Sequence, residues 1–371
     1  MADSIILIQN NISIFSVHLL WTVMSILFVL TLILFAVSVT ARMQHRKNEK
    51  LAESYRDKWY PIILAYLNKD LSRNKVEQYL TDDPREYSVF EEIIYEMMEN
   101  LKGTEVTQLQ EVLHLSPIFD YHFKQLQSHK TVNLIKACSY FSYIRLENYK
   151  VIEKLKSFLS SGNSMLAFSA ASALMASKEV EIRAKALRAI AQREKFSRMA
   201  LLEMIYKFHS KQLKQETEES QVMRELIKDK KVSPVSAGIL IQGAIELGYQ
   251  DLMPFFFNKM KSTKYRWNNS DVLPALIRAQ GNFFNIEATE EIKRHINHKS
   301  PEVRRSVVES LGKFGGQENL EAIFGLLDDD NFQVKLAAVT ALDENGAQGE
   351  KLLQLSYSDT KLNIRSLVES L

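Results

Sequence analysis

The chain has 371 residues, a quarter of them charged, a formal net charge of +2, and few glycines or prolines. The balance of charge along the sequence shows no concentrated basic face, so no nucleic acid is expected as a partner. Its one cysteine, Cys138, rules out an intrachain disulfide framework and suits a reducing compartment.

The first predicted element is apolar. From Ser4 to Ala41 there is no Asp, Glu, Lys or Arg. Its core, Leu19 to Val39, is long enough as a helix to cross about 30 Å of hydrocarbon. Arg42, His45, Arg46, Lys47 and Lys50 follow it, whereas the preceding segment carries only Asp3. Positive charge stays on the cytoplasmic side, which predicts a single-pass anchor in the inner membrane with the N-terminus outside and the bulk of the chain inside. A cleaved signal would need its bases before the apolar run. His18 and Trp21 suit the interface, and Thr22, Ser25, Thr31, Ala36 and Ser38 are small or hydroxyl-bearing positions suited to helix packing. Residues 1–41 therefore read as tail and anchor.

Residues 42–67 read as a helical stalk, with a bend or break near Pro61. Its six basic residues between Arg42 and Lys58 are offset by Glu49, Glu53 and Asp57, so attraction to anionic lipid there is modest. Residues 68–210 read as divergent N-terminal helical repeats. They include predicted helices over Asp83–Leu101, Thr104–Leu115 and Pro117–Gln127 that are rich in Tyr, Phe and Met. The polar run Lys211–Ser220 reads as a loop or a break between two halves of an array, and 221–371 as the C-terminal repeats.

The array shows in the spacing. Val272, Val303 and Val334 lie 31 residues apart. The same shift places Ala275 over Ser306 and Ala337, Ala279 over Ser310 and Ala341, Gly281 over Gly312, and Phe283 over Phe314. RSLVESL (Arg365–Leu371) nearly repeats RSVVESL (Arg305–Leu311). A period of this size signals a solenoid. Each unit reads as two helices with one apolar stripe apiece, for example Leu320, Ile323, Leu326 and Leu327, then Val334, Ala338, Ala341 and Leu342. The Asp328–Asp330 turn separates them and its acids sit before the second helix, whose N-terminal end is positive. A lone pair cannot bury its stripe, so stacking supplies the core.

The pattern D-x-x-x-V-[RK]-x-x-A-x-x-A-L at Asp330–Leu342, and more loosely at Ser300–Leu311, resembles HEAT repeats of the short bacterial, PBS-lyase-like type. Further copies stand at Ser164–Met175, Val180–Ala191, Val272–Phe283 and Ile239–Gly248. The resemblance implies an all-α chain: one transmembrane helix, then an α-solenoid of HEAT-like pairs. It also implies that Arg183, Arg304 and Lys335, at the family's basic position, pair with acidic turn residues. Some HEAT-like proteins are bilin lyases, but no chromophore chemistry is recognisable in this chain.

No catalytic constellation emerges. His114, His122 and His129 are too widely spaced for two ligands on adjacent turns, and His295 and His298 lack a third ligand, so no metal is expected. There is no phosphate loop, Gly-x-Ser-x-Gly elbow or His-Glu-x-x-His, so neither a cofactor nor an enzyme is expected. Cys138, beside Ala137 on an apolar-periodic segment, reads as a small core residue.

One cluster suggests recognition. Three consecutive phenylalanines, Phe255, Phe256 and Phe257, cannot all face one side of a helix. With Tyr265, Arg266 and Trp267 they form the candidate protein-binding residues, weighed against simple packing between repeats. The function expected is a membrane-anchored scaffold that binds a membrane-associated protein at the inner membrane face. A glycosyltransferase in a bacterial envelope or exopolysaccharide system is one such partner, and a signalling adaptor is the alternative.

Overall fold

The structure, a computed structural model, describes residues 2–209 and 213–357, with side chains for 21–209 and 217–355. The described residues are helical, with no strand among them, and they form two compact units, Met1–Tyr121 and His122–Leu371.

The first unit begins with α1 (Ala2–Leu67), followed by α2 (Arg73–Gln78), α3 (Pro84–Asn100) and α4 (Thr104–Leu113), and ends within α5 (Ser116–Gln125). The side chains of α1 are exposed from Trp21 to Lys50, and this helix is long and apolar enough to cross a membrane. Its hydroxyls turn inward on the backbone: Ser25 donates to the Trp21 carbonyl at 2.8 Å and Thr31 to that of Leu27 at 2.8 Å. Hydroxyls satisfied by their own helix backbone are what a hydrocarbon environment would demand.

The C-terminal end of α1 is anchored differently. Trp59 and Ile63 are fully buried beside α3, and Trp59 meets Phe90 edge-on at 4.7 Å. Glu86, buried at the start of α3, accepts from Trp59 Nε1 at 2.9 Å and from Lys58 Nζ at 2.6 Å, and the Thr81 amide donates to its other oxygen at 3.0 Å. The break expected near Pro61 does not occur, and the helix runs through to Leu67. Buried side chains before and after the proline hold both segments against α3, and their packing offsets the helix-interior cost of about 3 kcal/mol.

In the second unit the helices are α6 (Thr131–Tyr143), α7 (Tyr149–Phe158), α8 (Ser164–Leu174), α9 (Val180–Ala191) and α10 (Arg198–Phe208). They continue with α11 (Leu213–Lys228), α12 (Pro234–Glu246), α13 (Met253–Met260), α14 (Leu273–Asn282) and α15 (Thr289–Lys293). The last are α16 (Pro301–Phe314), α17 (Gln317–Phe324), α18 (Phe332–Glu344) and α19 (Gly346–Tyr357). The loop expected over Lys211–Ser220 is corrected: residues 213–220 belong to α11, while 210–212 lie outside the described residues. The polar run misleads because its apolar partners, Met223, Leu226 and Ile227, come later in the same helix and bury it. The second copy of the Arg305–Leu311 motif, at 365–371, also lies outside the described residues.

The helices stack in two rows, an α-solenoid. Even-numbered helices pack on the next even one from α6 to α18, and odd-numbered helices flank them. The 31-residue period becomes a repeated contact: a Cβ on Gly281 would lie 2.8 Å from the Ser310 Cα, and one on Gly312 would lie 2.8 Å from the Ala341 Cβ. Backbones approach closely because these positions are small. Gly281→Ala is therefore expected to destabilise by about 1–3 kcal/mol in denaturant unfolding, despite alanine's better helix propensity. No loss would mean that α14 and α16 can separate freely.

Candidate protein-interaction face

The outward surface of the even row is grooved between successive helices. Asn163 caps α8 through the Leu166 amide and Ser197 caps α10 through that of Ala200, fixing where both helices begin. Between them lies a groove of about 860 Å³, lined mainly by Met165, Phe168, Phe196, Met199 and Tyr206. Met165 and Met199 are 66% and 71% exposed. Beneath them Ala167, Ala170 and Ala171 fill the buried face of α8, leaving the long side chains on the outside. Flexible thioethers beside aromatic rings form a surface that adapts to an apolar partner.

Further along the row the surface becomes charged. Arg278 on α14 donates to Glu309 at 2.6 Å and to Glu302 at 2.6 Å, and Arg305 reaches Glu309 at 2.8 Å. Tyr206 hydrogen-bonds Glu246, which Gln242 also engages at 2.7 Å. Desolvation opposes the Arg278 charge, but Glu309 and Glu302 outweigh it and raise its pKa. The Arg278 and Tyr206 contacts span neighbouring helices, and the surface offers both signs of charge to a ligand.

The candidate residues from the sequence occupy a different place. Phe255, Phe256 and Trp267 are buried, with Phe255 meeting Trp267 edge-on at 6.2 Å. The Arg266 guanidinium donates to the carbonyls of Ile227, Asp229 and Val232 at 2.7, 2.9 and 3.0 Å, closing the end of α11. These four residues are therefore packing and capping groups. Phe257 is half-buried under Lys261, whose Nζ lies 3.8 Å from the ring centre, and Tyr265 is 82% exposed. The aromatic residues pack because α13 must bridge two neighbours, and its short sequence supplies the bulk.

The basic position of the repeat is structural at Arg183 and Arg304. Arg183 is buried and donates to Glu219 at 2.6 Å, to the Phe208 carbonyl at 3.1 Å and to the Ser177 carbonyl at 3.0 Å. Glu219 also accepts from the buried Tyr249 hydroxyl at 3.2 Å. Arg304 grips Asp329 with two bonds of 2.6 and 2.7 Å and donates to the His298 carbonyl. That hydrogen bonding lowers the Asp329 pKa against the opposing effect of burial, and Lys335 contributes.

Cys138 is buried, and its thiol is pushed up to about 12 by desolvation, so it is not a nucleophile at neutral pH. Burial lowers the pKa values of His295 and His298. Among the described residues no group of three His, Cys, Asp or Glu side chains is placed to hold a metal.

One exposed residue was not singled out by sequence reasoning. Phe284, Gly315 and Gly346 stand 31 residues apart, and all three have positive φ, at 52°, 63° and 60°. Glycine adopts this left-handed conformation without strain, whereas phenylalanine does not. The loop is held by Asn285, buried, which donates to Gln280 Oε1 at 2.7 Å. Phe284 is 63% exposed beside exposed Ile286. The signal was available, since the alignment that pairs Phe283 with Phe314 also sets Phe284 over Gly315.

Two consequences are measurable. Phe284→Gly is expected to raise stability by about 0.5–1 kcal/mol, because it relieves the backbone and removes no buried contact. A loss of stability instead would show that the ring packs. For Asp329, the depressed folded pKa means that its contribution is complete above the unfolded value of about 4 and disappears as pH falls through the lower folded value. Asp329→Asn should cost about 1–3 kcal/mol at pH 7, the difference closing toward pH 2. A pH-independent difference would show that shape rather than charge matters there.

Comparison with known proteins places this architecture. Residues 266–369 match the model of HEAT repeats. No curated protein matches the chain. Among solved structures, the complex of CpcE and CpcF of phycocyanin lyase from Nostoc sp. PCC7120 is similar over 65% of this chain and 94% of that one, at 17% identity and a TM-score of 0.31. A Kap121p mutant is similar over 84% of this chain and 40% of its own, at 11% identity and a TM-score of 0.40. A designed armadillo repeat protein is similar over 61% and 99%, at 16% identity and a TM-score of 0.30. The protein is, over its described residues, an all-helical repeat protein, and residues 266–369 are similar in sequence to HEAT repeats.

Proposed function

We propose that this protein is a membrane-anchored scaffold that holds a protein partner at the cytoplasmic face of the membrane. The observation that carries this reading is the even-row surface, where an apolar groove with exposed Met165 and Met199 adjoins paired charges on α12, α14 and α16. Apolar anchors with a polar surround are the arrangement of protein-recognition surfaces. The long apolar helix α1, exposed from Trp21 to Lys50 and followed by Arg42, Arg46 and Lys47, supports a single span with the N-terminus outside. Tethering confines the repeats to the membrane plane and raises their effective concentration toward a partner there.

The partner class that suits such a setting is another integral membrane protein, for example a glycosyltransferase of a bacterial envelope or exopolysaccharide assembly. Of the aromatic cluster, only Tyr265 and the half-buried Phe257 remain available to a partner.

The test places a photo-crosslinking residue at Met199 on the even row and, as control, at exposed Lys185 on α9 of the odd row. The expected outcome is one integral membrane protein joined through position 199 and not through 185. Equal labelling from both positions, or none from either, would reject the even-row face as the binding surface.

A further inference from the structure

We propose that one edge of the second unit docks on the anionic headgroups of a lipid bilayer; this rests on the membrane-anchored reading above. The edge is built from the four loops that lead from α7 to α8, from α9 to α10, from α11 to α12 and from α13 to α14. Hydrogen bonds tie these loops side by side. Arg193 donates to the Leu159 carbonyl, Gln192 donates to Asp229 at 2.8 Å, and Arg266 donates to the carbonyls of Ile227, Asp229 and Val232. Loops far apart in sequence thus become one continuous border.

That border is basic. Lys195, Lys228, Lys230, Lys231, Lys261 and Lys264 are exposed along it, with Lys259 half-buried among them. None of these seven has an ion-pair partner among the described residues. The acids within the same loops are Glu194, Asp229 and Asp271, and Asp229 is engaged by Gln192 and by the Lys231 amide. The Phe255 ring gathers three cations: Arg224 at 5.4 Å, Lys228 at 5.2 Å and Lys259 at 5.7 Å from its centre. Like charges brought together with only a ring face to offset them repel one another, and anions brought to the border relieve that repulsion.

Two features favour a lipid surface over a soluble anion. The lysines are distributed along the border instead of converging on a cavity, so they match a plane of charge, where each cation adds to the attraction. Tyr265, 82% exposed, projects between Lys264 and Arg266, and its loop is fixed by the three carbonyl bonds of Arg266. An amphipathic ring flanked by bases suits the headgroup level of a membrane.

The experiment uses the full chain in lipid nanodiscs, with Tyr265→Cys carrying a fluorophore in a Cys138→Ala background. Discs of phosphatidylcholine alone are compared with discs containing about 30% phosphatidylglycerol, both with headgroup-labelled quencher lipid. Quenching is expected in the anionic discs only. It should fall by at least about half at 0.5 M salt, where the Debye length shrinks to a few ångströms. It should also vanish in the Lys228→Glu, Lys261→Glu, Lys264→Glu variant, whose exposed substitutions leave the helical circular dichroism intact. Equal emission in both discs overturns the lipid-binding edge while leaving the anchor in place. Failure of the chain to enter either disc overturns the anchored reading instead. A response to a soluble acidic protein or nucleic acid, with none to anionic lipid, also overturns the proposal.

Discussion

Close approach between successive even helices is the constraint on which the rest of the second unit depends. No helical pair here can bury its apolar stripe alone, so each pair is completed by the next. Gly281 against Ser310 and Gly312 against Ala341 allow the backbones to meet. Once they meet, the small residues of α8, α12, α14 and α18 fill the interface, and larger side chains such as Met165, Met199 and Phe168 are left on the outer surface. The grooves that suit a partner are thus a consequence of how the core is packed.

Buried charge then sets the spacing at the edges. Arg183 with Glu219, and Arg304 with Asp329, are pairs in which each arginine also caps backbone carbonyls. Such pairs contribute little net energy over an apolar alternative, but losing one partner strands a charge. They act as register pins: the guanidinium has one position that satisfies all its acceptors. Arg266 plays the same part without a carboxylate, closing α11 through three carbonyls. In the first unit Glu86 is the corresponding pin, joining Lys58, Trp59 and Thr81 around the end of α1.

Two departures from regularity lie at the surface of the second unit. Phe284 holds a positive φ where the equivalent positions are glycines, and it does so in the open. The basic border likewise runs against electrostatic self-interest. Strain and like-charge crowding weaken a fold, and both are tolerable where a ligand or surface offsets them.

The sequence alone determined the helical class, the period of 31 residues and the long apolar stretch, because each is written in local spacing, whereas the structural role of the repeat arginine was implied by the resemblance to HEAT repeats. It also located α3 and α4 closely and implied the small-residue seam. Only the tertiary structure decided that Phe255, Phe256 and Trp267 are core, since burial depends on neighbours tens of residues away. The same holds for the helix that runs through Pro61 and for the helical course of residues 213–220, where packing outweighs local preference. The basic border was hidden for a related reason. Its lysines are interleaved in sequence with acids and cancel to +2 overall, and folding brings loops far apart in sequence side by side.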